Sequence, residues 1–580
     1  MRKKSALAAL FVSAALIAGA CGGTPTVEGS YKPGTGAAGG TLLVGDYQDM
    51  TDLLYGGTVM DANISATLWE GLVKVTNEPK YIPWLAESLP SIKNGAIELP
   101  GRDGDAMTVT WKLREGRTWS DGVPITCADV SYAHDWVLLE GNYTDPVSSG
   151  DTISTVECVD DLTIVLHFSE IYSGVYSGPS ILPKHYFEKF CIGCADPLTD
   201  MLLGAGFRDE DLPGIPTSGP FKVESRTPGV ETVMVRNDKW TNPYTGEPAK
   251  LERLKYVVCG QTETCIAKFR AGELDIVTDL TGNDYATTKD LGTEQYVQKT
   301  FTYEFLRFNV SGDTCTISPQ INAARGGKGC PTGDSAIRKA IAQATDKQGL
   351  WTRVLGEGGV VAESSVPDIS WFYKAGTPTK FDLAAAKKTL TDAGWVDANG
   401  DGVVEKDGVS AVLQLCTSGK TVRKAQTAFI ASDLAKIGIR LVYQPGSTIF
   451  EAWPDAEGMD CNLDRGTFDV AMHAYSTSID PTSLYPTYNS QTVPPNGENA
   501  ARVNLPEMDA ALTALKGTID LAEQAKFAGV VQDLLNQQYI EIPLYYWMGL
   551  ELVSSRTGGF LQNPTSAGPL WNSGDLSIAN

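Results

Sequence analysis

Alternation of apolar and polar residues marks the first strands. Met107 to Leu113 (MTVTWKL) and Leu162 to Phe168 (LTIVLHF) change character at nearly every step, the period of a half-buried strand. Thr41 to Gly45, Thr232 to Val235 and Tyr256 to Val258 are shorter strand segments, and a helix start is predicted at Thr126 to Asp129. The second half of the chain is more helical. Asp334 or Ser335 can cap a helix in which Ile337, Ala340, Ile341 and Ala344 share one stripe. Asp382 can cap the next, with Leu383, Ala386 and Leu390 on one face and Gly394 as its stop. A third helix is predicted from about Val422 to Lys436, ending at Gly438 before a strand over Ile439 to Tyr443. Phe468 to Met472 is another strand, and helices near 507–516 and 520–537 precede an apolar strand over Ile542 to Trp547. Helices and strands in alternation imply α/β lobes. The sequence has no internal repeat.

Length divides this pattern: 580 residues exceed one ordinary core and imply two or three packed units. With 42% hydrophobic and 20% charged residues the chain is a folded one. Its formal charge of −23 disfavours nucleic acid as a partner, and also adhesion to anionic lipid through a basic surface.

The N-terminus reads as an export signal, so the chain is expected at the outer face of the cytoplasmic membrane or in the periplasm. Arg2, Lys3 and Lys4 precede a short apolar run from Ala6 to Ile17 and the small residues Ala18, Gly19 and Ala20, which together read as a secretory signal over 1–20. Ile17-Ala-Gly-Ala-Cys21 resembles a bacterial lipobox, so Cys21 is expected to carry lipid. Removing residues 1–20 takes the charge from −23 to −26, because three basic residues and no acidic one are lost. Residues 21–40 then read as the lipidated cysteine and a flexible tether rich in Gly, Thr, Pro and Ala. Of 11 cysteines, those after Cys21 are even in number, as suits an oxidising compartment. Paired as sequence neighbours they give Cys127 with Cys158, Cys191 with Cys194, Cys259 with Cys265, Cys315 with Cys330, and Cys416 with Cys461. Spacing alone does not fix these pairs. Cys191-Ile-Gly-Cys194 lacks the second CxxC or paired histidines that a zinc site wants, so a loop staple is the better reading.

An ordered series of phrases resembles the family 5 extracellular solute-binding proteins of ABC importers. It includes Leu68-Trp-Glu-Gly-Leu-Val73, Pro83-Trp-Leu-Ala-Glu-Ser88, the run from Trp111 to Val130, Ser218-Gly-Pro-Phe-Lys-Val223, Ala271-Gly-Glu-Leu-Asp275, Ile337-Arg-Lys-Ala-Ile341, Phe468-Asp469, Asp480-Pro481 and Ile542-Pro-Leu-Tyr545. Each phrase is weak alone; the order carries the resemblance. It implies a two-lobed α/β fold of the periplasmic-binding-protein kind (type II) with an extra inserted subdomain. Mapped onto this chain, 41–70, 210–305 and 535–580 would form lobe I, 71–209 the inserted subdomain and 306–534 lobe II. Tyr303 to Asn309 and a strand near 535–547 would be the hinge connections. The implied function is capture of a peptide, or another small solute, and delivery to the importer's permease subunits. The protein is expected to be a monomer that uses no cofactor, touches the membrane only through lipid and catalyses nothing.

Candidate ligand contacts follow from strand ends, which face the crevice in α/β lobes. They are His473 and Tyr475 after a buried strand, with Asn309, and the aromatics Tyr47, Tyr303, Phe450, Trp453 and Trp547, which supply area with a polar handle on Tyr and Trp. The family resemblance implies an acid three or four residues before Pro481 to pair with a peptide's free amine; those positions hold Ser478 and Thr477, leaving Asp480 as the nearby carboxylate. Asp480 reads better as a turn residue before proline. An oligosaccharide, which stacks on aromatics and needs no such acid, is the alternative ligand. Asp397-Ala-Asn399-Gly-Asp401-Gly402 matches the start of a calcium loop, but its twelfth position is Gly408 and not Glu, so an Asp-rich turn is favoured over calcium. Of the four histidines only His473 is placed near the cleft, which argues against nickel or another bare metal. No GxSxG or HExxH motif supports a hydrolase. A sensor that uses the same fold without transport stays open.

Overall fold

The computed structural model describes residues 26–34, 36–50, 59–137, 153–188, 212–312, 319–326, 329–355, 359–445 and 461–579. Cys21, Cys191, Cys194, Cys315, Phe450, Trp453 and the signal segment lie outside them.

Eleven strands share one sheet, and two of them run through both lobes. From one edge the order is Arg440–Pro445, Val412–Thr417, Val470–Ser476, Gln295–Phe308, Glu541–Val553, Ile276–Leu280, Thr41–Asp46, Arg253–Val258, Glu231–Arg236 and Phe221–Thr227, with Gly359–Val361 pairing alongside Glu541–Val553. Gln295–Phe308 and Glu541–Val553 are the longest strands described, and they are antiparallel. Their ladder runs from Gln295↔Leu552 to Lys299↔Met548, breaks, and resumes from Tyr303↔Tyr546 to Arg307↔Glu541. On one side of the break Ile276–Leu280 pairs with Glu541–Val553. On the other, Val470–Ser476 pairs with Gln295–Phe308 through Thr302 to Phe308. The interruption at residues 300–302 therefore falls between the lobes, where lost ladder bonds let a sheet bend.

Separate cores lie to either side. One joins Leu42, Ile64, Phe221, Leu254 and Ile276, and another joins Ile341, Leu390, Leu413, Leu434 and Val470. A four-stranded antiparallel sheet of Ile97–Glu98, Met107–Lys112, Thr163–Phe168 and Ile153–Cys158 carries its own core around Trp111 and Trp119. The helix over Cys127–Val137 starts as the sequence predicts: the Asp129 carboxylate accepts from the Thr126 N–H at 2.9 Å, satisfying a donor that the first helical turn leaves open. Asp334 and Asp382 cap the helices Ser335–Ala344 and Leu383–Asp392, accepting from Ala336 N and Ala385 N. The helix Thr421–Ala435 ends before Gly438, whose φ of +83° suits glycine. No helix among the described residues is long and apolar enough to cross a membrane.

Disulfides join Cys127 to Cys158, Cys259 to Cys265 and Cys416 to Cys461, and Cys330 is also disulfide-bonded. The segment after Cys21 departs from a free tether. From residue 26 onward it packs on the body, because Val27 and Tyr31 give it apolar surface to bury.

Candidate functional site

Both lobes present the carboxyl ends of parallel strands near the crossing strands. In lobe I, Thr41–Asp46 runs parallel to Arg253–Val258 and Ile276–Leu280 and ends in Asp46-Tyr47. In lobe II, Val412–Thr417 runs parallel to Arg440–Pro445 and Val470–Ser476, followed by Lys420 and by Thr477 to Asp480. Such ends are where α/β sheets place ligands.

The lobe I wall is acidic. Asp46 is buried, with its carboxylate accepting from Gln48 N at 3.0 Å and Thr278 Oγ1 at 2.9 Å; burial raises its pKa to about 6. Asp279 sits within a register shift of its strand, between Val277 and Leu280, with φ of +54°, a conformation few non-glycine residues adopt. Burial and the charge of Asp46 raise its pKa to about 7, while Lys420 of the opposite lobe and a hydrogen bond from Tyr47 pull it down. The Tyr47 hydroxyl is in turn pushed up to about 12 by burial and by Asp279 and Asp46.

Across the boundary, the Arg423 guanidinium grips Glu304 through Nε–Oε1 at 2.8 Å and Nη2–Oε2 at 3.1 Å, a bidentate pair on the crossing strand. Trp547, half-buried, stands beside Glu304 with its indole nitrogen out of good hydrogen-bond geometry. Asp480 caps the short turn Pro481–Ser483, its Oδ1 accepting from Thr482 N at 2.8 Å and Thr482 Oγ1 at 2.7 Å. Its charge also bears on Tyr81 and Tyr176, whose rings stack 6.1 Å apart on the subdomain side. The lobes touch: Lys299 Nζ meets Asp368 at 2.7 Å, Lys516 Nζ meets Glu170 at 2.5 Å, and Ile479 joins Val27, Tyr81 and Phe301 in one core.

Residues 80–496 match the family model for bacterial extracellular solute-binding proteins, family 5 (middle). The chain belongs to this family. Among curated relatives, the oligopeptide-binding protein AppA of Bacillus subtilis is 24% identical over 561 residues, 94% of either chain. The periplasmic oligopeptide-binding protein OppA of Salmonella typhimurium is 23% identical over 539 residues, 87% of this chain and 86% of the relative. The solved structure of Bacillus subtilis AppA in complex with a nonapeptide superposes with a TM-score of 0.71 at 22% identity, covering 95% of this chain and all of that one. The two-lobed α/β fold expected from the sequence is thus shown.

Within this solute-binding protein the expected contact residues divide. Tyr47, Tyr475, Asp480 and Trp547 keep part of their surface open. Tyr475 donates to Glu498 Oε2 at 3.1 Å. Tyr303, Asn309 and His473 do not line a cleft. Tyr303 is fully buried, donating to Glu541 Oε2 at 3.0 Å and stacked on Phe305. Asn309 donates to Gly466 O and accepts from Ser311, and His473 is buried edge-on against Phe305 at 4.4 Å. Burial and Arg307 hold the His473 imidazole well below its ordinary pKa, which keeps it neutral. Alternate residues of these strands face inward, so a strand end locates the crevice without telling which side chains reach it. Sequence reasoning missed Asp46, Asp279, Glu304, Lys420 and Arg423. The one signal for the first two was a single acid closing an apolar strand, in Val44-Gly-Asp46 and Val277-Thr-Asp279.

Two cavities, of about 480 Å³ beside Lys347 and Glu363 and about 380 Å³ beside Arg338 and Arg502, are lined by residues within 310–543 and do not bridge to the lobe I wall. The Asp-rich loop is a set of nested turns. Asp397 accepts from Gly400 N and Gly402 N, Asn399 from Asp401 N, Asp401 from Val403 N, and Glu405 from Ala398 N. Carboxylate oxygens of Asp397, Asp401 and Glu405 lie within 4.8 Å of one another. Because hydrogen bonds within the loop already hold Asp397, Asp401 and Glu405 in these turns, we expect EDTA followed by calcium to leave the melting temperature unchanged. A calcium-dependent rise that Asp401→Asn abolishes would establish a metal loop instead.

Proposed function

We propose that this chain is the exported, lipid-anchored binding subunit of an ABC importer, that it encloses a peptide between its lobes, and that it hands the peptide to the permease subunits without chemical change. The observation that carries the reading is the full-length match to AppA, solved with a nonapeptide, together with strand ends of both lobes that converge at the crossing strands. A ligand held by both walls gains contacts in the closed form that it lacks in the open one. That difference shifts the population toward closure, and the size of the shift is set by the differential affinity.

Tyr47, Tyr475, Asp480 and Trp547 are the side chains we assign to the ligand, with Asp46, Asp279 and Lys420 setting the charge around them. Asp480 is the carboxylate available to a free amine: Thr477 is buried with its hydroxyl donating to Ser365 O at 2.9 Å, and Ser478 accepts from Asp480 N at 3.1 Å. That arrangement also favours a second reading, an oligosaccharide or other small solute, since no carboxylate stands at the two positions before Ile479.

Native mass spectrometry of the exported chain, purified without denaturation and then stripped of ligand, separates the readings. A ladder of peptide masses is expected. One discrete sugar or small-molecule mass would replace the peptide while keeping the binding role. An empty protein with no thermal shift across peptide and glycan panels would point to the sensor.

A further inference from the structure

We propose that residues 26–34 form a strap that fixes which face of the protein turns to the membrane; this rests on Cys21 carrying the lipid anchor. The segment is bound along its length by separate parts of the body. Gly29 N donates to Tyr81 O at 2.8 Å and Tyr81 N to Val27 O at 2.7 Å, a short parallel bridge with the inserted subdomain. Val27 is buried in the subdomain core. The Tyr31 ring stacks on Tyr244 at 4.8 Å and meets Trp84 edge-on at 5.4 Å, while its hydroxyl bonds to Asp575 near the other end of the chain. Lys32 pairs with Glu78, Lys80 donates to Thr26 O, and Lys250 donates to Gly34 O at 2.6 Å. Gly34 itself lies so close to the Asp575 backbone that a Cβ there would sit 2.8 Å from Asp575 O.

A strap pinned at this many points leaves little slack. Four residues separate Cys21 from Thr26, and the five steps of chain between the two reach at most about 18 Å. A free tether running to residue 40 would let the body tumble; a docked one cannot. The body's own charge does not set the orientation, because a net −26 after cleavage is repelled by anionic headgroups. The face around Thr26, Lys32, Glu78 and Lys80 is therefore held against the membrane. The helix Leu383–Asp392 packs into a different core from the one that holds Val27, and its exposed Lys388 is the reference site for the test.

The test uses the full lipidated chain, carrying one fluorophore on an engineered cysteine at Pro33→Cys or Lys388→Cys. The chain is reconstituted in phosphatidylethanolamine–phosphatidylglycerol vesicles doped with a rhodamine lipid. Energy transfer from residue 33 is expected to exceed that from residue 388 severalfold. A long Gly/Ser insertion between Pro25 and Thr26 is expected to erase the difference without changing the melting temperature. Equal transfer from both sites in a chain whose intact mass shows the lipid would overturn the strap and leave the anchor standing. A chain exported without added lipid mass would remove the anchor, and the strap's role with it.

Discussion

Asp469→Ala is expected to destabilise lobe II by roughly 3–5 kcal/mol, the usual consequence of stranding one member of a buried ion pair. Asp469 ends the loop before Val470–Ser476, and its carboxylate accepts from the Arg325 guanidinium and from Gln414 N at 2.7 Å. Both side chains of the pair are 0% exposed. Arg325 also donates to Val412 O at 2.8 Å and 3.2 Å and to Gly329 O at 3.1 Å, so truncating Asp469 takes the carboxylate away from a buried guanidinium that still faces these carbonyls. Burial already opposes ionisation of Asp469, and the guanidinium offsets part of that opposition. The pair is therefore close to break-even as a unit but costly to halve. Urea unfolding with one probe in each lobe reads the effect, since lobes with separate cores need not unfold together. Asp469→Asn, which keeps the hydrogen-bond shape without the charge, is expected to lose less. Arg325→Met combined with Asp469→Leu is expected to recover much of the loss. If the asparagine variant unfolded at the same urea concentration as the parent, charge would not be what Asp469 supplies.

Asp469 also shows what could be read in the sequence. Phe468-Asp469 is one of the phrases that carry the family resemblance, and its role is structural. Local signals were legible because their causes are local. Asp334 and Asp382 each cap the helix that follows, accepting from backbone N–H groups two or three residues on. The crossing strands were legible only in part. The sequence predicts a connection beginning at Tyr303, whereas the strand begins at Gln295, because Gln295 to Thr300 is a polar stretch whose pairing comes from Glu541–Val553 rather than from its own pattern. The site was least legible, since Asp46, Asp279 and Lys420 are far apart in the chain and meet only through the parallel topology. The Gly- and Pro-rich residues after Cys21 misled for the opposite reason. Composition suggests a free tether, but Val27 and Tyr31 suffice to dock it.

Stability is expected to fall as pH rises from about 4 to about 8, and Asp279→Asn is expected to remove part of that slope. Asp46 and Asp279 are raised from 3.8 to about 6 and about 7, and Glu551 from 4.5 to about 8, in each case chiefly by burial. A carboxyl with a raised native pKa holds its proton in the folded state over a range where the unfolded chain has lost it. Its contribution is therefore complete below the unfolded value and gone once pH passes the folded value. For Asp279 that window runs from 3.8 to about 7. At 1.36 kcal/mol per pH unit, the two units above pH 5 correspond to about 3 kcal/mol at most, since Asp46 titrates in the same range and its charge acts on Asp279. Asparagine keeps an acceptor for Tyr47, tolerates the positive φ at residue 279 and carries no charge at any pH. The variant's advantage over the parent in urea midpoint should be larger at pH 8 than at pH 5. Ligand closure should respond with the opposite sign. Ionised Asp279 attracts Lys420 across the boundary, so protonation that steadies lobe I also weakens the pull between lobes. Affinity measured at pH 5 should therefore be lower than at pH 8 in the parent and nearly level in Asp279→Asn. A parent whose stability did not fall and whose affinity stayed level between pH 5 and pH 8 would mean that these carboxylates are ionised throughout and that the lobe I wall keeps its negative charge in every condition tested.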